Sequence, residues 1–228
     1  MAQQFYDPQS FDHLAEMYDV AAAIERKHSF FLTNLPRGRR RALDIGCGTG
    51  LLARELAKHF ASVLAIDISA PMIAIARAKR AAHNIEYRLA DASAARIEGP
   101  FDAIVSHTTF HHIQDVAGTI ARLKPLLAPR GRFLIVDLVD RRLLLGYKPY
   151  AGLISGACAA AGPDAIRYGF RNAVTLLRFR LSRPWLDHLK TDRYLSVPAF
   201  RRCYGELLPG AVITCNRYFA KVVWEAAG

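Results

Sequence analysis

Leu43-Asp44-Ile45-Gly46-Cys47-Gly48-Thr49-Gly50 decides how the rest of the chain is read. An apolar run from Ala42 ends in three glycines at alternate positions. A helical pattern follows at once, with Leu51, Leu52, Leu56 and Phe60 on one face and Arg54, Glu55 and Lys58 off it. That order is strand, glycine turn, helix. Glycine admits positive φ and lets a ligand approach the backbone, and the helix start behind it offers free N–H groups and a positive dipole end. The spacing is G-x-G-x-G. It is one residue tighter than the G-x-G-x-x-G of dinucleotide sites, and no Lys-Ser/Thr follows as a P-loop requires.

Working outward, Ala61 to Asp67 is a second apolar run that ends in a carboxylate. Uninterrupted runs of this kind suit parallel strands buried on both faces. An acid closing the second strand, about 20 residues beyond the glycine turn, is placed to accept hydrogen bonds from ribose hydroxyls. Ser69 and Pro71 mark the start of the next helix, and Ile68 and Met72 beside Asp67 are apolar candidates to flank a base. Asn84 to Ala92 reads as a short strand entering a polar turn. Phe101 to Ser106 is a fourth strand that runs into His107-Thr108-Thr109-Phe110-His111-His112-Ile113. A helix over 115–127, a turn at 128–131 and a fifth strand over 132–137 follow. Pro198 to Leu208 is the last helix, and two strands over 211–215 and 218–224 close the chain. The N-terminal residues 9–35 read as helical. Residues 140–196 read as further helices in which basic residues outnumber acids.

The 228 residues fit one domain with an ample core, since 52% are hydrophobic. There is no apolar run of about 18 residues, so no transmembrane helix is expected. The first residues lack the basic and apolar regions of a secretory signal. Cys47, Cys158, Cys203 and Cys215 are scattered, which suggests neither a disulfide framework nor a zinc site and points to a cytoplasmic setting. The net charge of +11 suits an anionic ligand, an acidic partner, a membrane surface or nucleic acid. It is spread along the chain, and nothing besides charge argues for nucleic acid.

The turn D-I-G-C-G-T-G resembles motif I of the class I S-adenosylmethionine-dependent methyltransferases, in particular the broad type that includes ubiquinone/menaquinone and small-molecule enzymes. Phe11 to Asp19 is similar to the F-D-x-x-A-x-x-Y-D opening of many of them. Phe101 to Ile113 looks like their F-D-x-V-x-S-x-x-x-L-H-H-I segment, and the wording around Pro129 to Asp137 resembles their L-x-P-x-G-x-F/L-x-I-x-D. The resemblance covers about residues 9–138 and 197–225. It implies an α/β, Rossmann-like, seven-stranded sheet with strand 7 antiparallel and helices on both faces. Residues 1–228 would then be a single domain, with 140–196 as a helical cap between strands 5 and 6.

The resemblance also implies S-adenosyl-L-methionine as cofactor and S-adenosylhomocysteine as product. Contacts would come from Tyr18, Asp44, Gly46, Cys47, Gly48, Asp67, Ile68, Met72, Asp91, Ala92 and Ser106. The expected reaction is methyl transfer to an O, N or C nucleophile of a small molecule, anionic or apolar. Proximity and orientation would supply most of the acceleration. His107 and His111 are candidate general bases because histidine titrates near neutrality. No acid accompanies the three histidines in sequence, and adjacent histidines point apart on a helix, so no metal is expected. Tyr147, Tyr150, Phe170 and Trp185 are candidates to line an acceptor pocket, and the basic helices also suit peripheral contact with a membrane. Two other readings remain open: a methyltransferase of RNA or protein, and a protein that binds the cofactor without methyl transfer. A monomer and a homodimer are equally compatible with the sequence.

Overall fold

A computed structural model describes residues 12–25, 28–140, 150–192, 194–216 and 218–228. It divides into two compact units, Met1–Lys27 with Leu143–Asp192 and His28–Arg142 with Arg193–Gly228.

The second unit is built on a sheet. Its strands are β1 (Arg41–Ile45), β2 (Ser62–Asp67), β3 (Ile85–Leu89), β4 (Phe101–His107), β5 (Leu127–Asp140), β7 (Val212–Cys215) and β8 (Phe219–Glu225), with the two-residue β6 (Leu195–Ser196) off the main path. The order is β3-β2-β1-β4-β5-β8-β7, and β6 pairs with β5. The first five strands are parallel. β8 runs antiparallel to both its neighbours, which is the closing arrangement expected from the sequence, with β6 as an addition. The central strands carry continuous apolar runs because both faces are covered. Ala42, Leu43 and Ile45 of β1 and Ala103, Ile104 and Val105 of β4 are fully buried.

Local signals place the ends of the helices. Ser69 caps α4 (Ala70–Arg80), where its hydroxyl accepts the Met72 N–H. Asp115 caps α5 (Val116–Leu123) through the Gly118 N–H, and Ser196 caps α9 (Val197–Leu207) through the Ala199 N–H. Asp102, at the start of β4, accepts the N–H groups of Arg40 and Arg41 at 2.8 and 2.9 Å. It thereby fixes the entry into β1. Of the basic run that precedes β1, Arg41 lies over Phe101 and Arg39 over Phe60. These two guanidiniums are engaged by rings.

Three expectations need correction. The N-terminal helical segment is two pieces among the described residues, α1 (Ala15–Glu25) and the short α2 (Ser29–Thr33). The helix expected over 115–127 ends at Leu123 and continues as a 3-10 turn, Lys124–Leu126. The turn expected at 128–131 lies inside β5, whose pairing with β4 slips between Phe101 and Ala103. Arg130 takes φ +57° there, and a Cβ on Gly131 would stand 3.0 Å from the Phe101 carbonyl oxygen. The surplus residues bulge instead of reversing the chain.

The first unit is helical: α1 is joined by α6 (Tyr150–Tyr168), α7 (Phe170–Leu181) and α8 (Arg183–Thr191). Ala21, Leu176 and Phe179 form its buried centre, with Tyr18 and Trp185 packed against them. Arg180 pairs with Asp164 and Glu25. Among the described residues no helix is long and apolar enough to cross a membrane.

Candidate active site

α3 (Leu51–Leu56) starts directly behind the glycine turn. Gly46, Gly48 and Gly50 take φ of +66, +52 and +84°, so every second residue of the turn is left-handed, a conformation that glycine adopts without penalty. The turn is bound to β2, because the Cys47 N–H donates to the Ile66 carbonyl at 2.9 Å. Asp67 completes the cradle. One carboxylate oxygen accepts the Gly48 N–H at 2.7 Å and the other accepts the Ser69 N–H at 2.9 Å. The acid that the sequence marks as a ribose ligand is therefore oriented by the glycine turn on one side and by the entry to α4 on the other.

Asp44 lies beneath this cradle on β1. It is 1% exposed, and neither carboxylate oxygen meets a donor with hydrogen-bond geometry among the described residues. Burial, reinforced by the nearby Asp67 charge, pushes its carboxyl up to about 8, with the Ala53 backbone amide pulling weakly the other way. A buried carboxyl this poor in donors, next to a backbone that has no side chains, is suited to a cationic ligand group. Cys47 is buried beside these carboxylates, and both effects push its thiol well up, so it is not a nucleophile. The arrangement fits the amino-acid and ribose portions of S-adenosylmethionine.

The other expected contacts take different positions. Ile68 is half exposed next to Asp67, whereas Met72 is buried. Asp91 is exposed and accepts both the N–H and the hydroxyl of Ser93, forming a turn in which Ala92 is partly buried against the core. Ser106 is fully buried and its hydroxyl donates to the Ile45 carbonyl, which braces β4 against β1. Tyr18 belongs to the helical unit, where its ring meets Phe179 and Trp185 at 6.4 Å. Phe170 is 79% exposed. Tyr147 and the side chain of Tyr150 lie outside the described residues.

The carboxyl end of β4 carries the histidines. His107 meets Phe31 and His28 edge-on at 5.6 and 6.0 Å. Burial lowers the His28 pKa. Thr108 has φ +55°, an outlier for a β-branched residue, which marks strain at this corner. A Thr108→Asn variant should gain about 1 kcal/mol in thermal unfolding, because asparagine tolerates this conformation better; a loss would show that the threonine methyl packs productively.

His111 is buried, with its Nδ1 2.5 Å from the Asp137 carboxylate and both side chains about 95% covered. The same Asp137 oxygen accepts the Leu138 N–H. That oxygen is therefore an acceptor, and Nδ1 donates the shared proton to it. The His112 ring lies tilted against the His111 ring at 3.8 Å, and Tyr194 approaches His111 edge-on at 5.2 Å. The two adjacent histidines thus lie together, because the segment is a three-residue 3-10 turn, Phe110–His112, and not an α-helix.

Sequence reasoning missed Asp137, Thr109 and His28. Asp137 was readable only as a strand end. Thr109 donates weakly to the Gly46 and His107 carbonyls and fills the space where a Cβ on Gly46 would stand.

Residues 43–135 match the family model described as a methyltransferase domain. The chain is 38% identical over 113 residues to an uncharacterized methyltransferase of Mycobacterium tuberculosis, which covers 49% of this chain and 57% of that protein. It is 32% identical over 127 residues to a malonyl-[acyl-carrier protein] O-methyltransferase of Acetivibrio thermocellus, covering 53% and 45%. The chain thus spans about half the length of these curated relatives. In three dimensions it resembles DhpI in its complex with SAH, with a TM-score of 0.66, 16% identity, and coverage of 100% of this chain and 99% of that one.

Proposed function

We propose that this protein transfers a methyl group from S-adenosylmethionine to a small-molecule acceptor, taking residues 43–135, which match the methyltransferase domain model, as a domain of the class I type. The observation that carries the proposal is the Asp67 carboxylate held 2.7 Å from the Gly48 N–H of a turn with three left-handed glycines.

Bound S-adenosylmethionine supplies an electrophilic methyl group on a sulfonium. In this reading Asp67 accepts from the ribose hydroxyls, and Asp44 faces the charge of the amino-acid portion. Gly46 and Gly48 keep the turn clear for that portion, and Ile68, Asp91 and Ala92 serve the adenine side. His111, oriented by Asp137, takes a proton from the acceptor. His107 stands as the other candidate base. Orientation of two bound reactants supplies the larger share of the acceleration, worth roughly 7–11 kcal/mol in favourable cases, and the base adds roughly 10²–10⁴-fold. The helices over 150–191 are assigned to acceptor selection.

Titration calorimetry of the whole chain with S-adenosylmethionine should show saturable binding, and NADH should show none. Asp67→Ala should weaken that binding by about thirtyfold or more, since hydrogen bonds to a charged group contribute roughly 1.5–3 kcal/mol each. Absence of binding by the parent, or equal affinity in the variant, removes the cofactor assignment. Formation of S-adenosylhomocysteine against a fractionated metabolite extract then separates methyl transfer from binding alone.

A further inference from the structure

α6 and α7 pack against each other and are joined by the single residue Gly169, at φ +84°. Their inner faces bury Ala157, Ala173, Leu176 and Phe179. On either side of the turn, Ile166 is 90% exposed and Phe170 is 79% exposed. A Cβ added to Gly156, Gly162 or Gly169 would meet nothing within 4 Å, so the tip and the outer side of α6 are open. Scattered single hydrophobics on a surface are ordinary. Two large ones flanking a one-residue turn form a concentrated apolar tip.

The exposed charged residues next to Ile166 and Phe170 are arginines. Arg167 and Arg171, each the immediate neighbour of an apolar tip residue's position, are exposed. Between Asp164 and Asp187 the sequence contains five arginines and no acid. Asp164 is buried and paired with Arg180, so it does not offset the arginines at the tip. Further along α6, Ala151 to Pro163 contains no charged residue, and most of that segment is exposed. At 1.5 Å per residue this uncharged flank is roughly 20 Å long.

We propose that the α6–α7 tip docks onto an anionic lipid bilayer, with Phe170 and Ile166 entering the boundary between headgroups and acyl chains and Arg167 and Arg171 meeting lipid phosphates. Apolar side chains beside cationic ones at one level match the layering of that interface. A projecting tip suits a fluid surface that adapts to it, whereas a protein partner would need a matching acidic cavity. The exposed part of Ala151 to Pro163 carries no charge and can approach the interface without bringing one into it. None of these residues belongs to the glycine cradle, so the proposal does not depend on methyl transfer.

The full chain would be co-sedimented with vesicles of phosphatidylcholine alone and of phosphatidylcholine mixed with phosphatidylserine. Binding is expected to the mixed vesicles and to decrease with added salt. An Ile166→Asp/Phe170→Asp double variant should bind at least tenfold more weakly. Arg167→Gln and Arg171→Gln should each weaken binding about fivefold. Ile166, Phe170 and Arg171 face water and the exposed Arg167 lies over the Tyr168 ring, so thermal melting should change little, and the S-adenosylmethionine isotherm of the same variants reports separately on the cofactor site. Absence of binding by the parent overturns the proposal. So does binding that the apolar double variant retains in full, since that is adsorption by net charge. Self-association of the parent without vesicles, abolished by Phe170→Asp, would assign the tip to a second copy of the chain and overturn it too.

Discussion

Asp44→Asn should make the ligand-free protein more resistant to heat at pH 8 while weakening its hold on S-adenosylmethionine. Asp44 is 1% exposed and its oxygens meet no donor with hydrogen-bond geometry among the described residues. Burial raises its carboxyl from 3.8 to about 8 in the folded state. An unfolded chain would release that proton near pH 4. Between these limits the folded state binds more protons than the unfolded one, so stability decreases as pH rises from about 4 to about 8 and levels off above. Each pH unit in that window removes about 1.4 kcal/mol, which amounts to on the order of 4 kcal/mol at neutral pH.

Asparagine cannot ionise, so the variant should lack this slope. It introduces an amide that also needs partners, at a cost of roughly 1–3 kcal/mol. The two effects should leave it several degrees more stable at pH 8 and less stable near pH 4. Calorimetric melting of both proteins across this range is the check, and parallel curves would refute the assignment. The ligand prediction uses the same proton. A cationic group bound near Asp44 favours the ionised carboxylate, so cofactor affinity should strengthen as pH rises toward 8 and binding should release a proton. Binding heats that vary with the buffer's ionisation enthalpy would reveal it, and the Asn variant should show neither effect.

The parts of this site that are legible in sequence are those set by near neighbours. Alternate glycines after an apolar run specify left-handed backbone within five residues. Asp67 ends its strand, and its partners Gly48 and Ser69 lie on the turn and helix that the same pattern marks. The two closing strands are similarly readable from the Pro209-Gly210 break and two apolar runs, and their antiparallel direction from the family resemblance. The Asp137–His111 pair is of another kind. It depends on β4 and β5 being aligned so that His107 faces Val136, and that alignment is set by the surplus residues around Arg130. A turn and a bulge present the same Pro-Arg-Gly wording, and only the tertiary contact with the Phe101 carbonyl distinguishes them. Tyr18 is a related case. Its helical spacing is equally good for packing, and it is packed against Phe179 and Trp185.

The same tertiary dependence underlies the strongest expected loss of stability. Gly46→Ala should cost about 2–5 kcal/mol, a large part of an ordinary domain's stability. Two separate penalties contribute. At φ +66° an alanine costs about 1–2 kcal/mol in backbone conformation. Its Cβ would stand 2.1 Å from the Thr109 hydroxyl oxygen and 2.3 Å from the Thr109 methyl carbon, an overpacking worth about 1–3 kcal/mol. Only the second penalty belongs to Thr109. Thr109→Ala alone removes weak hydrogen bonds of 3.3 and 3.4 Å and should be mild. In the Gly46→Ala background it deletes the two nearest clashing atoms and leaves the Thr109 Cβ at 2.7 Å. Partial rescue follows: the double variant should be more stable than Gly46→Ala by about 1 kcal/mol or more, and the backbone penalty should persist. Chemical denaturation of the four proteins in this cycle measures the coupling. Strict additivity would mean that Thr109 does not close over the glycine turn, and the corner between β1 and β4 would then have to be rebuilt around a different contact.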